Sequence, residues 1–563
     1  MKKRLILSIS FLLILHIFIF PQTFNVVFLA NTKYAENPQW LNQIKNWGAT
    51  GINYRIFRHI LENKDHTINS NEWHNITKCL KLISDSKLDM FIRVNMFNLP
   101  KGYWPDYNKD DYQQTVDGIM YSTYLSDNIP TLNLTSPIAL RDRIHFFQTV
   151  IDSLNSQPAS IRSRIKLIVP TLSQDDETGL MLNRKFPPEG KGTWGWLSGY
   201  SEIEQDTFIK YLEDKYLTVS NLNAAWSTSF TGINRAEIKI KEYGWENIEE
   251  KYFCSEGRRD FIDFLTGQLK NFIDTCATIV HTANENFEIG VQFGSVYDGG
   301  IEFGAFYDVT FLLEKVDMVI CDDVAEYQPN FNFAADYLRS ICNYWNWKRG
   351  NYLRPLNFGT ETNWPGYNHI IPDTLVKYWQ MQLQSYYDRR ASTLFISHWG
   401  TIDLDVTWLP DKPLSDSDPY LHFTIGDLII NDELTSDGPY IQSQAYFKWK
   451  STLNHYRTLK VKTISSKNCV VHLSPARVLT SKTNGSQFDH HIHNIGDSVS
   501  YIPTFDGKHF SYSKLYRFPI YKFTNLNSPH STYTFYNEDC DIITDYMIEK
   551  SPEYFLETYN TNH

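Results

Sequence analysis

The chain lacks the features that mark redox, zinc and nucleic-acid-binding proteins. Its seven cysteines form no CxxC pair, so a zinc cluster or a thioredoxin-like centre has no support. Lys and Arg together number 53 against 64 Asp and Glu, which gives a net charge of -11 without any basic block. Such a chain is a poor nucleic-acid partner. The sequence also contains no GxSxG and no HExxH motif.

Long hydrophobic runs are lacking too, except at the start of the chain. Lys2, Lys3 and Arg4 precede an almost unbroken apolar run from Leu5 to Phe20, which Pro21 ends. This pattern is typical of a secretory signal peptide and predicts one over residues 1–23. The run is short for a membrane span, which needs about 20 residues. Because no small-x-small cleavage site is clear, an uncleaved anchor stays open. We expect the protein to be periplasmic or secreted.

Aromatic residues are abundant: 15 Trp, 35 Tyr and 35 Phe make up 15% of the chain. Flat, amphipathic rings suit the faces of sugars, and they suit a large core equally well. Hydrophobic residues reach 42% and charged residues 21%, so a sizeable core is available. Composition alone does not choose between sugar-binding rings and core rings.

Strand-like and helix-like segments alternate through residues 24–430. Signals for helix ends separate them: Asn37 and Pro38 begin one helix, Gly48 follows it, and Ser136-Pro137 begins another. The alternation favours a parallel sheet, and eight units favour a closed (β/α)8 TIM barrel. A doubly wound open sheet is the alternative, but the first turn has no glycine. The eight predicted strands are 25–30, 51–56, 88–95, 165–172, 287–293, 316–321, 354–358 and 393–397.

After about residue 430 the pattern changes. We expect a helical connection over 431–465, with an amphipathic aromatic helix at 440–456. A small, incomplete α/β region over 466–563 is predicted to follow, beginning with a strand at 468–473.

Two predicted strands run into carboxylates where a barrel keeps its active site, at the C-terminal strand ends. Strand four leads into Asp175, Asp176 and Glu177, and strand seven into Glu361. Alone, the first is typical of a solvated acidic loop and the second of a rim salt bridge. Together they can face each other across one barrel mouth, as the paired carboxyl groups of glycosidases do. A retaining mechanism requires them about 5–5.5 Å apart.

Other motifs are weaker. Gly190 to Gly195 matches GxGxxG but follows two prolines rather than a strand, so a dinucleotide site is disfavoured. The His490 to His493 cluster lies outside the predicted barrel, and the acidic loop Asp403 to Asp418 lacks EF-hand spacing. We therefore predict no metal and no cofactor.

The chain resembles the catalytic barrel of glycoside hydrolase family 42, the β-galactosidase-like branch of the retaining clan A glycosidases. The resemblance covers about residues 24–430. Asp176 stands where the family has an asparagine, and the family's cysteine zinc cluster is missing. Four segments carry the resemblance: Tyr211 to Phe230, Asp176-Glu177, Arg354 to Glu361, and Leu375 to Trp399.

The resemblance implies a role for each matching residue. Glu177 would be the acid/base and Glu361 the nucleophile. Asp176 and Arg55 would bind the sugar at the reacting subsite, although Arg55 could equally form a structural ion pair. We further expect aromatic walls from three residues, Tyr297, Trp364 and Trp399.

The resulting hypothesis is an exported retaining β-glycosidase, galactosidase-like, that acts on an oligo- or polysaccharide and could be a homo-oligomer. Two alternatives stay open. The replacement of asparagine by Asp176 suits a carbohydrate-binding barrel that has lost catalysis, and a clan relative could act on a different polysaccharide.

Overall fold

The architecture is taken from a computed structural model of the whole chain. Between residues 335 and 349, it describes six single helical positions: 335, 338, 342, 345, 346 and 349. The ranges it describes are 24–30, 35–46, 48–97, 107–115, 118–119, 121–122, 129–130, 132–173, 177–179, 199–239, 256–293, 312–322, 354–362, 365–366, 373–388, 390–396, 423–424, 451–459, 470–472, 503–505, 510–512 and 534–536.

Eight parallel strands close into a barrel in which each strand pairs with its neighbours in the chain. The last strand pairs with the first, with Asn25 opposite Thr393. The protein is therefore a closed (β/α)8 barrel, as the alternating sequence pattern predicts. The strands are β1 (Asn25–Ala30), β2 (Gly51–Phe57), β3 (Asp89–Asn95), β4 (Ile165–Thr171), β5 (Glu288–Phe293), β6 (Met318–Asp322), β7 (Asn357–Thr362) and β8 (Thr393–Ile396).

Helices surround the barrel and bury their apolar faces against it. There are also short helices at Arg58–Leu61 and Ala159–Arg162 and a 3₁₀ turn at Lys109–Asp111. No described helix has the length and apolarity that crossing a bilayer requires. The longer helices are α1 (Pro38–Asn46), α2 (Ser70–Asp85), α3 (Pro137–Asn155), α4 (Glu202–Tyr216), α5 (Val219–Trp226), α6 (Glu256–Ala283) and α7 (Asp373–Asp388).

The predicted helix signals act as expected. The Asn37 side chain accepts a hydrogen bond from the Gln39 amide at 3.0 Å, and Ser136 accepts one from the Ala139 amide at 3.1 Å. Both thereby satisfy amide groups that a helix start leaves without a partner.

The lower part of the barrel lumen is filled by apolar side chains, not by water. Phe91 and Phe395 meet edge to face with their ring centroids 5.6 Å apart. Gly51 makes room for Phe91, because a Cβ atom there would lie 2.8 Å from the phenyl ring. The lumen cluster consists of Val27, Phe91, Leu167, Val169, Met318, Ile320 and Phe395.

One strand prediction is displaced. Strand seven was expected at 354–358 but occupies Asn357–Thr362. Arg354 lies before it and donates a hydrogen bond to the Phe287 carbonyl at 3.0 Å. Pro355 has no amide hydrogen to give to a sheet. Glu361 therefore lies inside β7 and not beyond its end. A polar residue is tolerated there because this part of the strand faces the barrel lumen.

The segment Tyr211 to Phe230 contains the end of α4 and all of α5, and it packs on α6. Asp260 of α6 is completely buried and accepts hydrogen bonds from Tyr216 Oη at 2.6 Å and Trp226 Nε1 at 2.7 Å. Lys215 forms an ion pair with the same carboxylate. The segment on which the family resemblance most depends thus has a structural role in this chain.

A helical stretch after the barrel closes over the N-terminal end of the first strand. Residues 451–456 are helical, which agrees with the described part of the predicted helix at 440–456. The Phe24 amide donates to the Leu459 carbonyl at 3.0 Å, and Arg457 donates to the Lys45 carbonyl at 2.8 Å. The segment is therefore tied to the first βα unit.

Within the C-terminal region, Val470–His472 is a strand, inside the predicted range 468–473, and pairs antiparallel with Thr534–Tyr536. The domain boundaries 1–23, 24–430, 431–465 and 466–563 stay predictions, and the signal segment lies outside the described residues.

Helix α4 begins with a buried capping box. The Glu204 carboxylate accepts hydrogen bonds from the Ser201 hydroxyl at 2.8 Å and the Ser201 amide at 3.2 Å. Burial raises the pKa of Glu204 to about 7, although the hydrogen bonds from Ser201 act in the opposite direction.

We expect Gly48→Ala to destabilise the protein by about 1–3 kcal/mol. Gly48 has a φ of +111°, and a Cβ atom would lie 2.9 Å from the Leu453 backbone of the docked segment. Urea unfolding measures the effect. Gly267→Ala is the matched control, because Gly267 lies in α6 with nothing within 4 Å of its added Cβ. That variant should gain about 0.5–1 kcal/mol, and equal losses in both would contradict the interpretation.

We expect Glu204→Gln to remove a pH dependence of stability. The folded pKa of about 7 exceeds the ordinary 4.5, so the folded state retains the Glu204 proton over that window. Stability from this group is full below pH 4.5 and falls as the pH rises toward 7. Glutamine accepts the same hydrogen bonds without charge, so the variant should match the wild type near pH 4.5 and exceed its unfolding free energy by about 1–3 kcal/mol at pH 8. Urea unfolding at both pH values checks this, and Glu202→Gln, which changes an exposed glutamate, is the control. If the unfolding free energies of Glu204→Gln and the wild type change in parallel with pH, the interpretation is contradicted.

Candidate functional site

Polar side chains replace the apolar lumen cluster toward the C-terminal ends of the strands. Phe91 belongs to that cluster, and residues two apart on a strand share a face. Arg93 and Asn95 therefore follow Phe91 on the lumen side of β3. By the same alternation, Asn53 and Arg55 follow Gly51 on β2. The barrel mouth is thus polar above a sealed apolar floor.

Glu361 lies at the centre of this mouth. Its side chain is 5% exposed, and it forms an ion pair with the guanidinium of Arg93, whose side chain is 1% exposed. Gln292, from β5, donates a hydrogen bond from Nε2 to the same Glu361 oxygen, Oε2, at 2.6 Å. Glu361 Oε2 therefore has two donors from two different strands.

Arg93 is itself held by β2. With the Asn53 amide oriented so that its oxygen faces Arg93, that oxygen accepts from Arg93 Nε at 2.9 Å and Nη2 at 3.0 Å. The Asn53 amide nitrogen then donates to the Phe91 carbonyl at 3.3 Å. The guanidinium is fixed between β2 and β7, so its orientation does not depend on solvent.

These contacts favour the ionised form of Glu361. An isolated carboxylate in such a place would be strongly disfavoured by desolvation. A buried guanidinium and an amide donor both stabilise the ionised form. The arrangement therefore supplies an anionic oxygen pair at the floor of the mouth, which can act as a nucleophile.

Glu177 follows β4 in the chain, and the residue is 7% exposed. The described residues 172–173 and 177–179 are called the Glu177 turn. The Glu177 carbonyl accepts from the Leu172 amide at 2.8 Å and the Ser173 amide at 3.1 Å. The Glu177 amide donates to Ser173 Oγ at 2.9 Å. The Ser173 carbonyl accepts from Asn95 Nδ2 at 3.1 Å, which anchors the turn to β3. These hydrogen bonds hold the backbone of Glu177 against the end of β4.

A second connection joins this turn to β5. The Thr178 amide donates to the Gln292 carbonyl at 2.8 Å, and the Gln292 amide donates to Thr178 Oγ1 at 3.0 Å. Gln292 also binds Glu361, so one residue links the Glu177 turn to the second glutamate. The structure brings both predicted glutamates to the same end of the barrel.

The other sequence-predicted site residues have different outcomes. Arg55 is half-buried on the lumen side of β2, opposite Arg93 in the strand pairing. Its role in sugar binding stays a prediction. Asp176, Tyr297, Trp364 and Trp399 lie outside the described residues, as do the His490 to His493 cluster and the acidic loop after β8. Among the described side chains, no group of three or more His, Cys, Asp or Glu could hold a metal ion.

Three contributors were missed by sequence reasoning: Asn53, Arg93 and Gln292. A signal for them was present. Arg93 stands inside the apolar run LDMFIRVN, and Gln292 inside FEIGVQF. A buried strand does not keep such residues unless they have partners, so each polar interruption was itself evidence for a polar lumen.

Comparisons with known proteins were made at three levels. Neither a protein-family model nor a curated protein matches this chain. Solved structures do match. A β-galactosidase from the haloarchaeon Halorubrum lacusprofundi has a TM-score of 0.52 at 13% identity, covering 77% of this chain and 58% of that one. The cold-adapted β-galactosidase from Rahnella sp. R3 has a TM-score of 0.51 at 13% identity, covering 78% and 58%.

A third match is a catalytic mutant of a glycoside hydrolase family 42 β-galactosidase from G. stearothermophilus. Its TM-score is 0.50 at 12% identity, and the alignment covers 78% of this chain and 58% of that one. The chain thus spans less than two thirds of the length of these β-galactosidases. At such identities the likeness establishes the barrel fold.

We expect Arg93→Met to destabilise the protein by about 3–5 kcal/mol at neutral pH, because it leaves a buried carboxylate without its cation. The double variant Arg93→Met/Glu361→Gln should recover part of the loss, because it leaves no buried carboxylate. Urea unfolding at pH 7.5 measures both variants. The control is Arg235→Met, whose ion pair with Asp206 is solvent-exposed and worth about 0–1 kcal/mol. An equal loss in the two arginine variants would refute the ion-pair interpretation.

Proposed function

We propose that this protein is a retaining β-glycosidase that hydrolyses O-glycosidic bonds through a covalent glycosyl-enzyme intermediate. The observation that carries the proposal is the pair of buried glutamates at the ends of β4 and β7, linked through Gln292. Paired carboxyl groups at a barrel mouth are the groups such hydrolysis needs. The barrel shared with solved β-galactosidases supports the same class of reaction.

In the first step, Glu361 attacks the anomeric carbon while Glu177 donates a proton to the leaving oxygen. Arg93 and Gln292 favour the ionised form of Glu361 that attack requires. Both bind the same carboxylate oxygen, Oε2.

In the second step, Glu177 takes a proton from a water molecule, and the water attacks the anomeric carbon and releases Glu361. Two inversions at one carbon return the original anomeric configuration. No cofactor takes part, because carboxyl groups fill both roles.

We further propose a β-galactosidase-like specificity on an oligo- or polysaccharide, with Asp176 and Arg55 binding the sugar at the reacting subsite. Tyr297, Trp364 and Trp399 would supply aromatic walls, since aromatic rings pack well on the apolar faces of sugars. The N-terminal segment 1–23 supports export to the periplasm or beyond. The alternative of a binding barrel without catalysis rests on Asp176, which can accept but not donate a hydrogen bond where the family has an asparagine.

We expect leaving-group dependence to separate the roles of the two glutamates. Glu177→Gln should lower kcat/KM by about 10²–10⁴-fold on unactivated glycosides, and much less on dinitrophenyl glycosides, whose leaving group needs no proton in the first step. Glu361→Gln should abolish turnover of both. Steady-state kinetics on a panel of aryl β-glycosides measures this, and NMR of the first-formed sugar checks retention.

The control is Glu204→Gln, which changes a buried glutamate outside the site and should leave kcat unchanged at 25 °C. Inversion of configuration would exclude a retaining mechanism. If no glycoside is turned over while oligosaccharides still bind, the protein is a binding barrel. The sugar preferred within the panel decides between a galactosidase and a clan relative with another substrate.

A further inference from the structure

Gln292 neither transfers a proton nor forms a bond in the two steps above, yet it is among the most buried polar residues of the barrel. It is 1% exposed and lies on β5, whose lumen face also carries Gly290. A Cβ atom at Gly290 would lie 3.2 Å from the side chains of Leu167 and Val169, so the barrel is tightly packed directly below Gln292. The Gln292 side chain therefore has little room to move.

The backbone of Gln292 is fixed as firmly as its surroundings. Thr178 engages both the amide and the carbonyl of Gln292, and Thr178 Oγ1 donates to the Pro170 carbonyl at 2.9 Å. Thr178 is the residue after Glu177. Any shift of Gln292 along β5 would thus move the turn that carries the proposed acid/base.

The two ends of the Gln292 amide differ in their contacts. Nε2 donates to Glu361 Oε2 at 2.6 Å. Oε1 is buried and has no hydrogen-bond partner among the described residues. Both atoms are attached to one carbon, so this acceptor lies beside the Glu361 carboxylate. Burial of an acceptor without a hydrogen bond is unfavourable. A ligand that brings a hydrogen-bond donor to this oxygen would remove that cost.

We propose that Gln292 is a positioning residue that sets the placement of Glu361 relative to Glu177, and that its carbonyl oxygen accepts a hydrogen bond from a hydroxyl of the bound sugar. The inference rests on the proposed glycosidase function. In this arrangement each end of the Gln292 amide has its own role. The nitrogen binds the nucleophile Glu361, and the oxygen binds the substrate.

The test compares two substitutions of similar size. Gln292→Met removes both amide atoms, and we expect kcat to fall by up to about 10²-fold, the usual effect of misplacing a reacting group by about 1 Å. KM should rise as well. Gln292→Glu keeps an acceptor but removes the donor and adds a like charge beside Glu361. Its acidic pH limb of kcat/KM should move to higher pH while KM stays nearer the wild type.

The matched control is Gln382→Met. Gln382 is also 1% exposed and donates from Nε2 to Thr360 Oγ1 at 3.0 Å, but it lies on α7 outside the barrel. If it lowers kcat as much as Gln292→Met does, Gln292 acts only through stability and the positioning role is overturned. If Gln292→Glu and Gln292→Met raise KM equally, the carbonyl does not bind the sugar.

A second measurement does not depend on glycosidase activity. Thermal unfolding of Gln292→Met, Glu361→Gln and the double variant forms a double-mutant cycle. We expect the loss of Tm in the double variant to be smaller than the sum of the single losses, because both substitutions remove the same contact. Additive losses overturn the inference even if no sugar is hydrolysed. Absence of turnover together with a coupled cycle overturns the proposed function and retains the Gln292–Glu361 contact.

Discussion

A carboxylate can be buried in a barrel only where fixed donors replace the water it loses, and the mouth of this barrel is organised around that requirement at Glu361. Arg93 supplies the opposite charge from β3, and Gln292 supplies a neutral donor from β5. Asn53 on β2 orients the guanidinium. Four strands therefore meet at one carboxylate group. Removing any of these partners leaves a buried polar group unsatisfied, which costs more than the contact itself contributes.

The rest of the fold gives this polar cluster a rigid base. Aromatic and branched side chains fill the lumen below it, and glycines at positions 51 and 290 allow that filling. Outside, helices bury a continuous apolar layer, and Asp260 joins α4 and α5 to α6. The segment at 451–459 is bound to the first βα unit. Close packing of this kind restricts the displacement of strands, so the carboxyl ends that carry the site keep their relative positions.

Much of the fold could be predicted from local pattern. Seven of the eight strands were located because buried parallel strands are short apolar runs, and capping residues such as Asn37 and Ser136 act over two or three residues. Strand β7 was misplaced because its C-terminal half, which includes Thr360 and Glu361, is polar and lacks the apolar signature. The positions of Glu177 and Glu361 at strand ends could be predicted without any knowledge of contacts, and their catalytic roles belong to the proposed function.

The sequence by itself determined the barrel, its helical layer and the two glutamates at the strand ends, because periodicity and strand-end position are local properties. It did not determine the partners of those glutamates. Arg93 lies 268 residues from Glu361 in the chain, and Gln292 lies 69 residues away. Such contacts exist only after the barrel closes and brings β3, β5 and β7 around one lumen. Tertiary structure alone decided which polar residue inside an apolar strand would support Glu361, because strand order and register select the residues that face each other.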